Sequence, residues 1–84
     1  IMTETYKTGD QVTINKGARC AIMNSLPRPR ITRAVSAGYA GGPPWRVIMN
    51  TLDSLTLNRT GNITDILVHA DDVTRYPPRI RRTR

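Results

Sequence analysis

Phenylalanine is absent from the 84-residue chain, and one tryptophan and three tyrosines supply all of its aromatic area. The core must therefore come from Val, Ile, Leu and a few Met around Trp45, a set that suits short strands packed about a small barrel. One cysteine, Cys20, excludes an internal disulfide framework. With one histidine, His69, it cannot complete the four ligands of a structural zinc site, so no metal or other cofactor is expected. A lone cysteine suits a reducing, intracellular compartment. The sequons Asn58-Arg59-Thr60 and Asn62-Ile63-Thr64 are accordingly read as chance matches. No signal-peptide pattern or long apolar run is seen, and no membrane partner is expected. A chain of this length is one domain with a thin core, too small for a catalytic cleft between domains, and no catalytic residue is assigned.

Acid is scarce as well: six Asp and Glu stand against thirteen Lys and Arg, for a formal charge of +7. That balance is the electrostatic footprint of a polyanion binder. Eleven of the thirteen bases are arginine, whose planar fork grips phosphate in two places where lysine offers a point charge. The charge is also segmented. Residues 17–47 carry Arg19, Arg28, Arg30, Arg33 and Arg46 without any acid, and residues 74–84 carry Arg75, Arg79, Arg81, Arg82 and Arg84. Between them, residues 48–73 hold four aspartates against Arg59 alone, which makes this stretch the least suited to phosphate.

The pattern predicts an all-β chain. Val12 and Ile14 alternate with polar neighbours in a first strand after Gly9-Asp10. A second strand runs from Trp45 to Met49, a third pairs Leu55 and Leu57 on one face, and Thr60-Gly61-Asn62 turns the chain into a fourth from Ile63 to His69. Ala70-Asp71-Asp72-Val73 reads as a single 3-10 turn with Val73 tucked inward, and Thr74-Arg75-Tyr76 as a short fifth strand stopped by Pro77-Pro78. The proline- and glycine-punctuated segment 16–44 is expected to be a long basic excursion, in which Arg30 to Val35 can add a strand and Ala18 to Leu26 a helical turn. Residues 1–78 make up the barrel domain and 79–84 a basic tail.

Three landmarks follow one another: Tyr6-Lys7-Thr8-Gly9-Asp10-Gln11-Val12, Gly42-Pro43-Pro44-Trp45-Arg46-Val47, and Val68-His69-Ala70-Asp71-Asp72-Val73. Their order resembles the C-terminal domain of retroviral and long-terminal-repeat retrotransposon integrases, the gammaretrovirus-like ones especially. The chain departs from that pattern in its extra proline, Pro44, in Trp45 where Tyr or Phe is usual, and in a longer stretch before the second landmark. The resemblance implies an SH3-like five-stranded barrel with a short 3-10 turn before the last strand. It also implies binding of viral or element ends and target DNA without sequence preference, assembly with other integrase subunits, and a nuclear setting, or a virion if the parent is retroviral. Such a domain supports DNA integration without being an enzyme by itself; the parent polyprotein would supply the strand transferase. A host chromatin factor meeting the tail at Arg79-Ile80-Arg81 is a further implied partner.

The residues expected to contact nucleic acid are Arg19, Arg28, Arg30, Arg33, Arg46, Arg75, Arg79, Arg81 and Arg82. Arg28, Arg30 and Arg33 lead, because Pro27 and Pro29 stiffen their segment. Trp45 is expected to face inward with Val47 and to anchor the core rather than stack on a base. His69 and the adjacent Asp71 and Asp72 are read as ordering the turn, not as ligands or a catalytic pair. Two other classes stay open: an RNA-binding or ribosome-associated SH3-like protein, and a chromatin-reading module that would cage a methylammonium among Tyr6, Tyr39, Trp45 and Tyr76.

Overall fold

The alternation that marks β1 (Gln11–Ile14) and β5 (Ser54–Asn58) as strands also divides them into two faces: Val12, Ile14, Leu55 and Leu57 are buried, while their polar neighbours face outward. The structure is a computed structural model that describes residues 5–23, 30–51 and 53–77. The other elements are β2 (Arg19–Ile22), β3 (Arg33–Ala34), a one-turn helix α1 (Ala37–Ala40), β4 (Trp45–Thr51), β6 (Ile66–His69), a 3-10 turn (Ala70–Asp72) and β7 (Val73–Arg75). Among the described residues the strands form one antiparallel seven-stranded sheet in the order β3-β2-β6-β5-β4-β1-β7. The sheet curls into a half-barrel, so the chain is a small all-β fold with little helix.

The inside of the curl is the core. Trp45, Val47, Leu55, Leu57, Ile66, Val68, Val12 and Cys20 are essentially inaccessible, and Tyr6, Ile14, Ala18 and Val73 complete the cluster. Trp45 and Tyr6 provide the bulk that phenylalanine would give elsewhere. Registry is fixed by cross-strand rows: Val12 pairs with Trp45 on one side and Arg75 on the other, and Leu57 with Val47 and Ile66. A one-residue slip would turn the buried apolar side chains of these rows to water.

In β4 the register shifts between Val47 and Met49, which pair with Leu57 and Thr56, leaving Ile48 as the extra residue of a bulge. The turn ahead of β1 grips the same stretch. Gly9 N–H donates to Val47 O (2.8 Å), Val47 N–H to Asp10 O (2.8 Å), and the Thr8 hydroxyl to Ile48 O (3.2 Å). Gly9 makes that contact at φ +98°, a conformation open to glycine and costly for other residues.

The meander β4-β5-β6, the 3-10 turn and the inward Val73 form as the sequence predicts. The expected fourth strand is shorter, starting at Ile66, and Ile63 is 98% exposed in the preceding turn. Segment 16–44 differs most. In place of an excursion with a helical turn at Ala18 to Leu26, its described part supplies β2, which pairs with β6, while the strand that Arg30 to Val35 can add forms as the two-residue β3, which pairs with β2. The sheet thus has two strands beyond the five expected. β2 does not alternate, since Cys20 and Ala21 are both buried, and the period-2 signal of a strand is lost there.

Candidate nucleic-acid interface

Arg46 occupies the outer face of β4, in a cross-strand row with Gln11 of β1 and Asn58 of β5. Its neighbours Trp45 and Val47 are buried, so alternation sends the guanidinium to solvent. It makes no hydrogen bond or ion pair with any described residue. The row opens on a notch of about 140 Å³ lined by Gln11, Pro44, Arg46, Asn58, Arg59 and Thr60.

Arg59, directly after β5, is held in place. Its Nη1 donates to Gly41 O (2.7 Å) and Pro43 O (3.1 Å), and its Nη2 to Gly38 O (2.9 Å). The guanidinium carbon lies 4.2 Å from the centre of the Trp45 ring, a cation–π contact. Tyr39 meets the same indole edge-on at 5.3 Å and 71°, and the indole Nε1–H donates to Tyr39 O (3.0 Å). Gly42, at φ +79°, brings backbone so close that a Cβ there would stand 3.1 Å from Arg59 Nη1. The Gly-Pro-Pro loop, α1 and the end of β5 are thus locked together by one arginine. Trp45 is an inward anchor, as its alternation with Val47 predicts, and takes no part in an exposed stacking surface.

The remaining expected contacts divide into engaged and open. Arg19 Nη1 donates to Thr32 O (2.7 Å), tying β2 to the turn before β3. Arg75 pairs with Asp10 (Nη1 to Oδ2, 3.2 Å), donates from Nη2 to Thr5 O (3.0 Å), and lies 5.0 Å from the Tyr6 ring centre. The Asp10 carboxyl is held below its ordinary value chiefly by the Lys7 backbone N–H (2.9 Å); burial opposes this, and Arg75 lowers it further. Arg30 and Arg33 are exposed, and neither side chain bonds a described residue. Arg33 borders a second cavity of about 180 Å³ beside Cys20, Ile22 and Tyr39. Burial pushes the Cys20 thiol up, and the nearby Arg33 charge partly opposes this. Arg28, Arg79, Arg81 and Arg82 lie outside the described residues.

Residues contiguous in sequence are therefore separated in space. Arg19, Arg30 and Arg33 belong to the β2–β3 edge, and Arg46 to β4, three strands further along the sheet. In exchange, Gln11, Asn58, Arg59 and Thr60 join Arg46; counting charge misses the three neutral residues outright and discounts Arg59 because it lies in the acidic stretch. His69 precedes the 3-10 turn without a side-chain capping bond, and Asp72 fastens the turn through its carbonyl, which accepts from Asn15 N–H (2.9 Å). The ordering role expected of His69 is thus carried by backbone. No group of three or more His, Cys, Asp or Glu able to hold a metal occurs among the described residues, and none of their helices is long and apolar enough to cross a membrane.

The chain matches no family model, no curated protein and no solved structure.

Proposed function

We propose that this chain is a nucleic-acid-binding module that holds the DNA backbone without reading its sequence. In this reading the half-barrel is an SH3-like barrel of the kind found in integrase C-terminal domains, serving DNA binding and assembly with further copies in support of integration. One observation carries the proposal: Arg30, Arg33 and Arg46 stand exposed with no described partner in a chain of charge +7. Arginines kept for the fold, such as Arg59 and Arg75, find acceptors within it; arginines left open have phosphate as their natural ligand. Two rings that a methylammonium cage would need are already faced by cations, Arg59 at Trp45 and Arg75 at Tyr6, which favours nucleic acid over the chromatin-reading class.

Titrating short duplex DNA against the protein at several salt concentrations tests this. If about five arginines each displace a condensed counterion, log K against log salt has a slope near −4 to −5, alike for unrelated sequences. A slope near zero refutes the proposal. Tighter binding of structured RNA at equal salt would move the reading to the RNA-binding class.

A further inference from the structure

The notch beside Arg46 is more specific than a basic patch. Nearly every polar side chain lining it has a donor to offer: the Arg46 fork, which bonds no described residue, the Gln11 amide and the Thr60 hydroxyl. Asn58 spends one amide proton on Asp65 Oδ1 (2.8 Å) and keeps a second. Among the described residues no carboxylate lines the notch: Asp65 accepts from Asn58 and is not part of the wall. Arg59 contributes in another way. Three of its five N–H groups are taken up by carbonyls, and its positive charge is held at the notch by contacts that owe nothing to a ligand. Two guanidinium groups on one small concavity repel each other until an anion lies between them. At about 140 Å³ the space is well under the roughly 300 Å³ at which small-molecule pockets begin, so it suits one tetrahedral anionic group and not a whole nucleotide.

We propose that this notch is a subsite for one phosphodiester of a DNA backbone, with Arg46 as the direct ligand, Arg59 as the fixed charge behind it, and Gln11, Asn58 and Thr60 as neutral donors. It rests on the reading of the chain as a DNA binder and adds a place and a stoichiometry to it: one phosphate, read by three adjacent strand positions and the turn after β5. Because Arg59 is already immobilised, Arg46 is the one charged side chain of the notch that has to be ordered on binding.

The experiment uses the full chain with short duplex DNA. Fluorescence anisotropy over a salt series is run on the wild type, Arg46→Gln and Thr60→Ala. Side-chain amide resonances of Gln11 and Asn58 are followed as DNA, and separately inorganic phosphate, is added. Arg46 is exposed and bonds no described residue, so its variant should keep the wild-type backbone spectrum. The expected result is a salt slope shallower by about 0.9 in Arg46→Gln, unchanged slope with weaker binding in Thr60→Ala, and DNA-dependent shifts at Gln11 and Asn58. If the wild type binds DNA and Arg46→Gln keeps the full slope, the subsite is wrong and the DNA reading stands. If the wild type does not bind DNA, both fall. If inorganic phosphate moves the two amides where DNA does not, the notch takes a free anion and the backbone assignment is overturned.

Discussion

Replacing Arg59 should unfasten the Gly-Pro-Pro loop and uncover one face of Trp45. The arginine donates to three carbonyls, those of Gly38, Gly41 and Pro43, all on exposed residues. Water can replace it at each, so each bond is worth only about 0.5 kcal/mol, below the 1.5–3 of a buried charge-assisted bond. The stacking on Trp45 at 4.2 Å adds about 1 kcal/mol. Arg59→Ala should thus cost about 2.5 kcal/mol, which for a domain of this size lowers the melting temperature by about 10 to 20 °C. Arg59→Lys keeps the charge but not the fork and should lose more than half of that. Urea denaturation gives the energy, and tryptophan emission gives the mechanism, because Trp45 is the chain's only tryptophan and should shift to the red as its cover opens. A loss below about 0.5 kcal/mol with unchanged emission would refute the account of Arg59 as the clamp.

Leu57→Ala removes a wholly buried side chain between Val47 and Ile66 and should cost about 2–5 kcal/mol, enough to bring a marginal domain near unfolding; a chemical denaturation curve within about 1 kcal/mol of wild type would contradict the assigned core. Asp10→Asn should cost about 1 kcal/mol at neutral pH, where the carboxylate is ionised and bonded to Lys7 N–H and Arg75. Since the folded-state value is depressed, that contribution is fully present above the ordinary 3.8 and is lost as pH falls through the folded value, so the stabilities of wild type and variant should converge as the solution is acidified below it. A gap that persists unchanged into acid would show that the carboxylate charge is not what matters.

What could be read in advance depended on local signal. β1, β4, β5 and the 3-10 turn announce themselves through alternation and turn chemistry over a few residues. β2 does not, because Arg19-Cys20-Ala21-Ile22 buries adjacent small side chains, and β3 is only two residues long. Charge along the sequence marks Arg30, Arg33 and Arg46, whose side chains are exposed, but it cannot separate them from Arg19 and Arg75, whose acceptors are Thr32, Thr5 and Asp10. Arg59 was hidden for the same reason. An arginine among aspartates looks like a counter-ion, and only the docking of the Gly-Pro-Pro loop against β5 gives it carbonyls and an indole to hold. The row Gln11, Arg46, Asn58 joins strands far apart in sequence, so no window of sequence contains it.

The pairing of β1 with β7 has a mechanical consequence. Val12 lies opposite Arg75 and Ile14 opposite Val73, so the chain enters β1 and leaves β7 at the same end of the ladder, where Tyr76 N–H also donates to Gln11 O. Tension drawn through the flanking segments would therefore load this ladder as a zipper, one hydrogen bond after another, and not in shear with all bonds sharing the force. Arg75, which reaches both Thr5 and Asp10, sits at the end of the ladder where that zipper would start.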